Sequence, residues 1–166
     1  MTYGFLIGLS KWLGATSLSS TIRTAGWIIP TLQTIHILGV AVLFSSAILV
    51  DLRVLGLLQR DTPLPDVAQR FLPVIWPLLV VLLISGSLLI IGEPRRTLLN
   101  TTFYLKMALL LVAIVLTVGL QRSIAAAHSE SSRGRRVARR LAAALSVLVW
   151  CGILFAGRWI AYTQAA

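Results

Sequence analysis

One histidine, His36, lies inside residues 24–50, an uncharged and largely apolar stretch bounded by Arg23 and Asp51. A titratable ring in such surroundings needs a partner or a task, because lipid supplies neither donor nor acceptor for its two nitrogens. Neutral imidazole is a usual axial ligand for haem iron, and a four-helix bundle can hold a flat tetrapyrrole between its helices. On a helix, Gln33 precedes His36 by about one turn and Gly39 follows by about one turn, so the three share a face that Leu43, Ser46 and Ala47 continue. Gly39 offers clearance for the edge of a ring. His128, the other histidine, belongs to a basic connection too far away for the same iron, which excludes a bis-histidine haem within one chain. Lys106, Met107, water or a group from another chain is left for the sixth position, and an amine ligates only when deprotonated.

The expected site is therefore a haem b site built from His36, Lys106, Gln33, Gly39 and Met107, with His36 on the iron, serving electron transfer or redox sensing. A competing expectation is a non-catalytic accessory or anchoring subunit of a larger membrane complex. In that case the imidazole hydrogen-bonds a carbonyl or serine of a neighbouring span and holds the register, at about 1 kcal/mol. The chain shows no nucleophile and base pair, no Cys or His cluster, no phosphate-cradling glycine loop and no carboxylate pair within one span. These absences argue against hydrolytic and phosphoryl chemistry, and no reaction or substrate is assigned.

A second polar group, Asp51, Arg53, Arg70, Gln121 and Arg122, falls at the opposite ends of the apolar stretches from His36. Asp51 and Arg53 are two residues apart and cannot share a helix face. The expectation is structural ion pairing across helices, Asp51 with Arg70 or Arg122, since charges near a membrane need counter-ions. An anion or quinone headgroup site is the functional alternative.

The elements that must position these residues follow from composition. Hydrophobic residues make up 57% of 166 and charged residues 12%, and mean hydropathy is +0.89, far from the globular average. The expected fold is all-α: an integral membrane four-helix bundle with an N-terminal interfacial amphipathic helix, forming a single domain over residues 1–166. Crossing about 30 Å of hydrocarbon takes roughly 20 residues. Uncharged runs and their extensions place spans at about 25–50, 71–92, 102–124 and 139–162, the third drawing Lys106 to the membrane boundary. Before them, residues 1–20 carry Phe5, Leu9, Trp12 and Leu13 at helical spacing, as an interfacial helix does. Residues 66–71 read as the start of a short surface helix, and Pro73 and Pro77 as tolerated near the start of the second span.

The net charge of +10 borders the spans rather than forming a nucleic-acid stripe, so no nucleic-acid partner is expected. The loop 122–140 carries Arg122, Arg133, Arg135, Arg136, Arg139 and Arg140 against Glu130, which assigns it to the cytoplasmic side, in contact with anionic lipid. With four spans, both termini then face outward from a bacterial inner membrane, although Arg95 and Arg96 in the outer turn run against the rule. Other membrane subunits or a homo-oligomer are the expected protein partners.

The run from His36 through Leu57, with Leu72-Pro73 to Trp76 and Phe103-Tyr104-Leu105-Lys106-Met107, resembles an uncharacterised family of small bacterial four-span inner-membrane proteins. More distantly, a first-span histidine, an aromatic and an arginine toward the end of that span, and a lysine opening the third span are similar to HemJ-like protoporphyrinogen oxidases and CopD-like copper-resistance membrane proteins. The resemblance implies haem between His36 and Lys106. The chain departs from that pattern at Leu43, Phe44, Ser45 and Ser46, where HemJ-like proteins carry a tryptophan and a glycine, and in the spacing of Arg53.

Overall fold

A computed structural model describes residues 2–58, 61, 63–125 and 133–160. Over these the chain forms seven helices and no strand: α1 (Thr2–Gly14), α2 (Ser17–Thr24), α3 (Ile28–Leu55), α4 (Leu64–Gly92), α5 (Pro94–Leu98), α6 (Thr101–Ala125) and α7 (Arg133–Trp159). Four of them, α3, α4, α6 and α7, are long and apolar enough to cross a membrane, so the chain is an all-α, multi-pass four-helix bundle.

The bundle is assembled from two hairpins. α3 packs along α4 and α6 along α7; α3 against α7 joins the pairs, while α4 and α6 touch sparsely. Leu43, Ala47, Val50 and Val54 recur at intervals of four, three and four on α3, and Ala68, Leu72 and Ile75 repeat four and three on α4. That period keeps one seam facing the partner helix, as in left-handed bundles. With Leu120, Ile124, Ala143 and Trp150, these side chains concentrate the core in one half of the bundle. The half containing His36 is packed less by buried aliphatic side chains than by small residues and polar contacts.

Several boundaries differ from the sequence expectation. The N-terminal segment is two helices, because Thr16 takes a β conformation and accepts from the Ser19 N–H, starting α2 afresh. Arg23 of α2 donates to the Gly14 carbonyl at 2.8 Å, and α1 and α2 lie across α5 and the end of α4. Phe5, Trp12, Leu18 and Trp27 stay exposed, as expected of groups that meet an interface. Residues 66–71 are not a separate surface helix: α4 starts at Leu64 with Pro65 in its first turn, which needs no donated N–H there. Pro73 and Pro77 consequently sit inside α4, both exposed, where their missing donors leave carbonyls one turn back without the usual partner.

The basic segment is also more helical than a loop. α6 runs past Arg122 to Ala125, and α7 starts at Arg133, so Arg133, Arg135, Arg136, Arg139 and Arg140 occupy its first turns. His128, Glu130 and Tyr162 lie outside the described residues. α3 ends on Gly56, whose φ of 78° puts it in the left-handed region. There the Leu57 N–H reaches the Leu52 carbonyl at 2.9 Å and closes the helix end.

Candidate functional site

His36 lies nine residues past Trp27 on α3, roughly 13 Å along the axis by helical rise. Ser85 lies seven residues before the end of α4, which runs the opposite way, so the two reach a common depth. His36 Nδ1 is 2.9 Å from Ser85 Oγ. The same hydroxyl donates to the Val81 carbonyl at 2.8 Å. A serine hydroxyl has one proton. With that proton committed to Val81, Oγ accepts from Nδ1–H, and the neutral ring keeps its free lone pair on Nε2.

Gly86 supplies the room for this contact. A Cβ there would stand 3.3 Å from His36 Cε1, tighter than ordinary packing, so the ring lies flush against the α4 backbone. Ser85 is not among the residues expected at the site; the signal that finds it is a small polar residue followed by glycine, at the histidine's depth on the next span. His36 thus hydrogen-bonds a serine of the neighbouring span.

The remaining expected ligands are distributed unevenly. Lys106 is half-buried. Its stem crosses Gly157 of α7, where an added Cβ would meet Nζ at 3.5 Å and Cε at 3.7 Å. Met107 is half-buried beside it, and Gln33 is exposed. Adjacent residues on a helix point about 100° apart, so Lys106 and Met107 do not present to one point together. Gly39 does not leave open space: a Cβ there would meet Leu82 Cδ2 at 3.0 Å, so α4 already uses that clearance.

Glu93 pairs with Arg96 at 3.2 Å, Asn100 caps the Thr102 N–H at 2.9 Å, and the Tyr104 hydroxyl donates to the Leu98 carbonyl at 2.8 Å.

At the far end, Asp51 does not form the expected ion pair with Arg70 or Arg122. It is 2% exposed and takes a hydrogen bond from the Ser146 hydroxyl of α7, while its Oδ2 has no partner among the described residues. The reason is geometric: Asp51 continues the Leu43–Ala47–Val50 seam into the core, whereas Arg70 is exposed and lies over the Phe71 ring at 5.8 Å. Arg122 is exposed too, and Arg53, on a different face, is engaged elsewhere. No group of three or more metal-ligating His, Cys, Asp or Glu side chains occurs among the described residues.

A family model matches residues 9–163. The chain belongs to that family, a family of unknown function (DUF6644). The DUF6644 match takes in the end of α1 and all four apolar helices, so His36, Ser85, Lys106 and Asp51 all fall within it. No curated protein and no solved structure matches the chain.

Proposed function

We propose that this DUF6644 protein is a bacterial inner-membrane protein that binds haem b through His36 and uses it for electron transfer or redox sensing. The observation that carries the reading is the hydrogen bond of His36 Nδ1 to a serine whose own proton is committed to Val81. Metal-ligating histidines characteristically donate their second nitrogen to such an acceptor, which fixes the ring and its tautomer. The donor chemistry fits haem iron: a neutral imidazole with a free Nε2, and an amine and a thioether at the start of α6. When bound, the haem would supply one-electron chemistry. The protein's part is to hold His36 against Ser85 and Gly86 and to bring Lys106 toward the same depth.

The half of the bundle with fewer buried aliphatic side chains is where such a group would enter. The basic start of α7 would face the cytoplasm and meet anionic lipid, which puts the termini and His36 toward the outside.

One observation favours the second reading, an accessory subunit in which His36 serves only as a packing hydrogen-bonder: Gly39's clearance is filled by Leu82. Absorption spectroscopy decides between them. Protein purified from haem-replete cells should show a Soret band that disappears in His36→Ala and shifts in Lys106→Met. A colourless wild-type protein with full helical content would refute haem binding, and its co-purification with other membrane proteins in mild detergent would then favour the subunit reading.

A further inference from the structure

The sparse contact between α4 and α6 leaves an open cleft of about 580 Å³ at the basic end of the bundle, lined by Trp76, Val118, Gln121, Arg122 and Ala125. Its composition is graded. Arg122 and Gln121 stand at the end of α6, with apolar side chains below them, and no carboxylate lines the space. Among the described residues Arg122 has no ion-pair partner. Trp76 also borders a second, closed gap beside Ile114, Thr117 and Trp150, too narrow as it stands for a water-sized group. Trp150 is 3% exposed, and its indole N–H is buried with no acceptor among the described residues. An orphaned donor in an apolar setting is costly, so it marks a place where an acceptor belongs.

We propose that this cleft binds one anionic glycerophospholipid: phosphate on Arg122 and Gln121, acyl chain against Trp76 and Val118, and an ester carbonyl accepting from Trp150. The spacing suits that ligand. Thr117, at the level of the crevice, is five residues before Arg122, roughly 7 Å by helical rise, the same order as the separation of phosphate and ester carbonyl along a glycerol backbone. Trp76 forms the wall common to both spaces, so turning its half-exposed indole is the movement that opens the crevice to the carbonyl. A guanidinium with no acid beside it among the described residues selects the anionic headgroup over a zwitterionic one. This site is at the opposite end of the bundle from His36 and does not depend on haem.

Full-length protein in detergent would be titrated with brominated phosphatidylglycerol and brominated phosphatidylcholine while tryptophan fluorescence is followed. Trp76→Phe and Trp150→Phe variants identify the part of the signal that comes from the cleft. Saturable quenching by phosphatidylglycerol is expected, with a half-saturation about fivefold lower than for phosphatidylcholine, the factor one basic residue near a charged headgroup supplies. Arg122→Gln should abolish that preference, and Val118→Phe, which fills the cleft without adding an indole, should abolish the quenching with helix content unchanged. Arg133→Gln, outside the cleft, should leave the preference intact. Equal half-saturation for the two lipids in wild type, or an unchanged preference in Arg122→Gln, overturns the proposal. So does displacement of phosphatidylglycerol by inorganic phosphate alone, or displacement by a quinone analogue that is equally effective on wild type and Arg122→Gln.

Discussion

His36 and Ser85 are joined Nδ1 to Oγ at 2.9 Å across the α3–α4 seam, and Ser85 is anchored in turn to its own helix through Val81 at 2.8 Å. The pair locks the ring's tautomer as well as its position. Ser85→Ala removes the acceptor and keeps the backbone. It should lower thermal stability by about 1 kcal/mol if the bond is purely structural. If His36 ligates haem, the same change should weaken retention of the group about tenfold to a hundredfold. Ser85→Thr keeps the hydroxyl and should restore most of either loss; equal effects of Ala and Thr would show that volume, not the hydroxyl, matters.

Gly92 carries the junction between the N-terminal helices and the bundle. An added Cβ would stand 2.8 Å from Ile22 Cγ2, closer than real contacts allow, and Ile22 is buried. Gly92→Ala should therefore push α2 off the end of α4, increasing protease cleavage in residues 14–26 while the four long helices persist. Pairing Gly92→Ala with Ile22→Ala recovers the space, so protection should return; if cleavage stays high in the double variant, the steric account of this junction fails.

Much of the fold is legible in the sequence because lipid imposes one strong constraint: long apolar stretches must be helical, whatever their details. The unread parts have specific causes. The starts of α4 and α7 are misplaced because charges end an apolar run without ending a helix, as Asp66 and the arginines from Arg133 onward show. His36 stands out as the unusual polar residue of its stretch, but Ser85 and Gly86 do not, since serine and glycine are ordinary in spans. Asp51 reads as a boundary charge because it follows Val50 at the end of the uncharged run. Only the packing of α3 against α7 shows that its side chain turns inward to Ser146.

That inward turn gives a third prediction. Ionised carboxylates are costly to bury without a cationic partner, and Asp51 has a hydroxyl on one side and nothing on Oδ2. Asp51→Asn keeps the shape and an oxygen for Ser146 while removing any burial of charge. Melting of the purified protein at neutral pH should find Asp51→Asn as stable as wild type or more so, and Ser146→Ala less stable by about 1 kcal/mol. A marked loss of stability in Asp51→Asn would instead reveal a carboxylate held by a cation.

The arginines at the start of α7 yield the last prediction. Positive charges at a helix N-terminus oppose its dipole, at roughly 0.3–1 kcal/mol each when exposed, yet Arg133, Arg135 and Arg136 all stand there without an acidic residue in the first turn. Such an arrangement is tolerable beside an anionic cytoplasmic leaflet, which also retains short basic segments on that side. At the other end of the bundle, Arg96 is offset by Glu93 at 3.2 Å, which weakens the opposing signal of the α4–α6 turn. In a Cys151→Ser background, which removes the chain's one cysteine, Arg95→Cys should react with a membrane-impermeant maleimide on intact cells, and Gly134→Cys should react only after lysis. The reverse pattern would invert the bundle and place His36 in the cytoplasmic half. Charge-reversing Arg133, Arg135 and Arg136 to glutamate should shift part of the population toward that inverted pattern, because it removes the feature argued to fix the orientation.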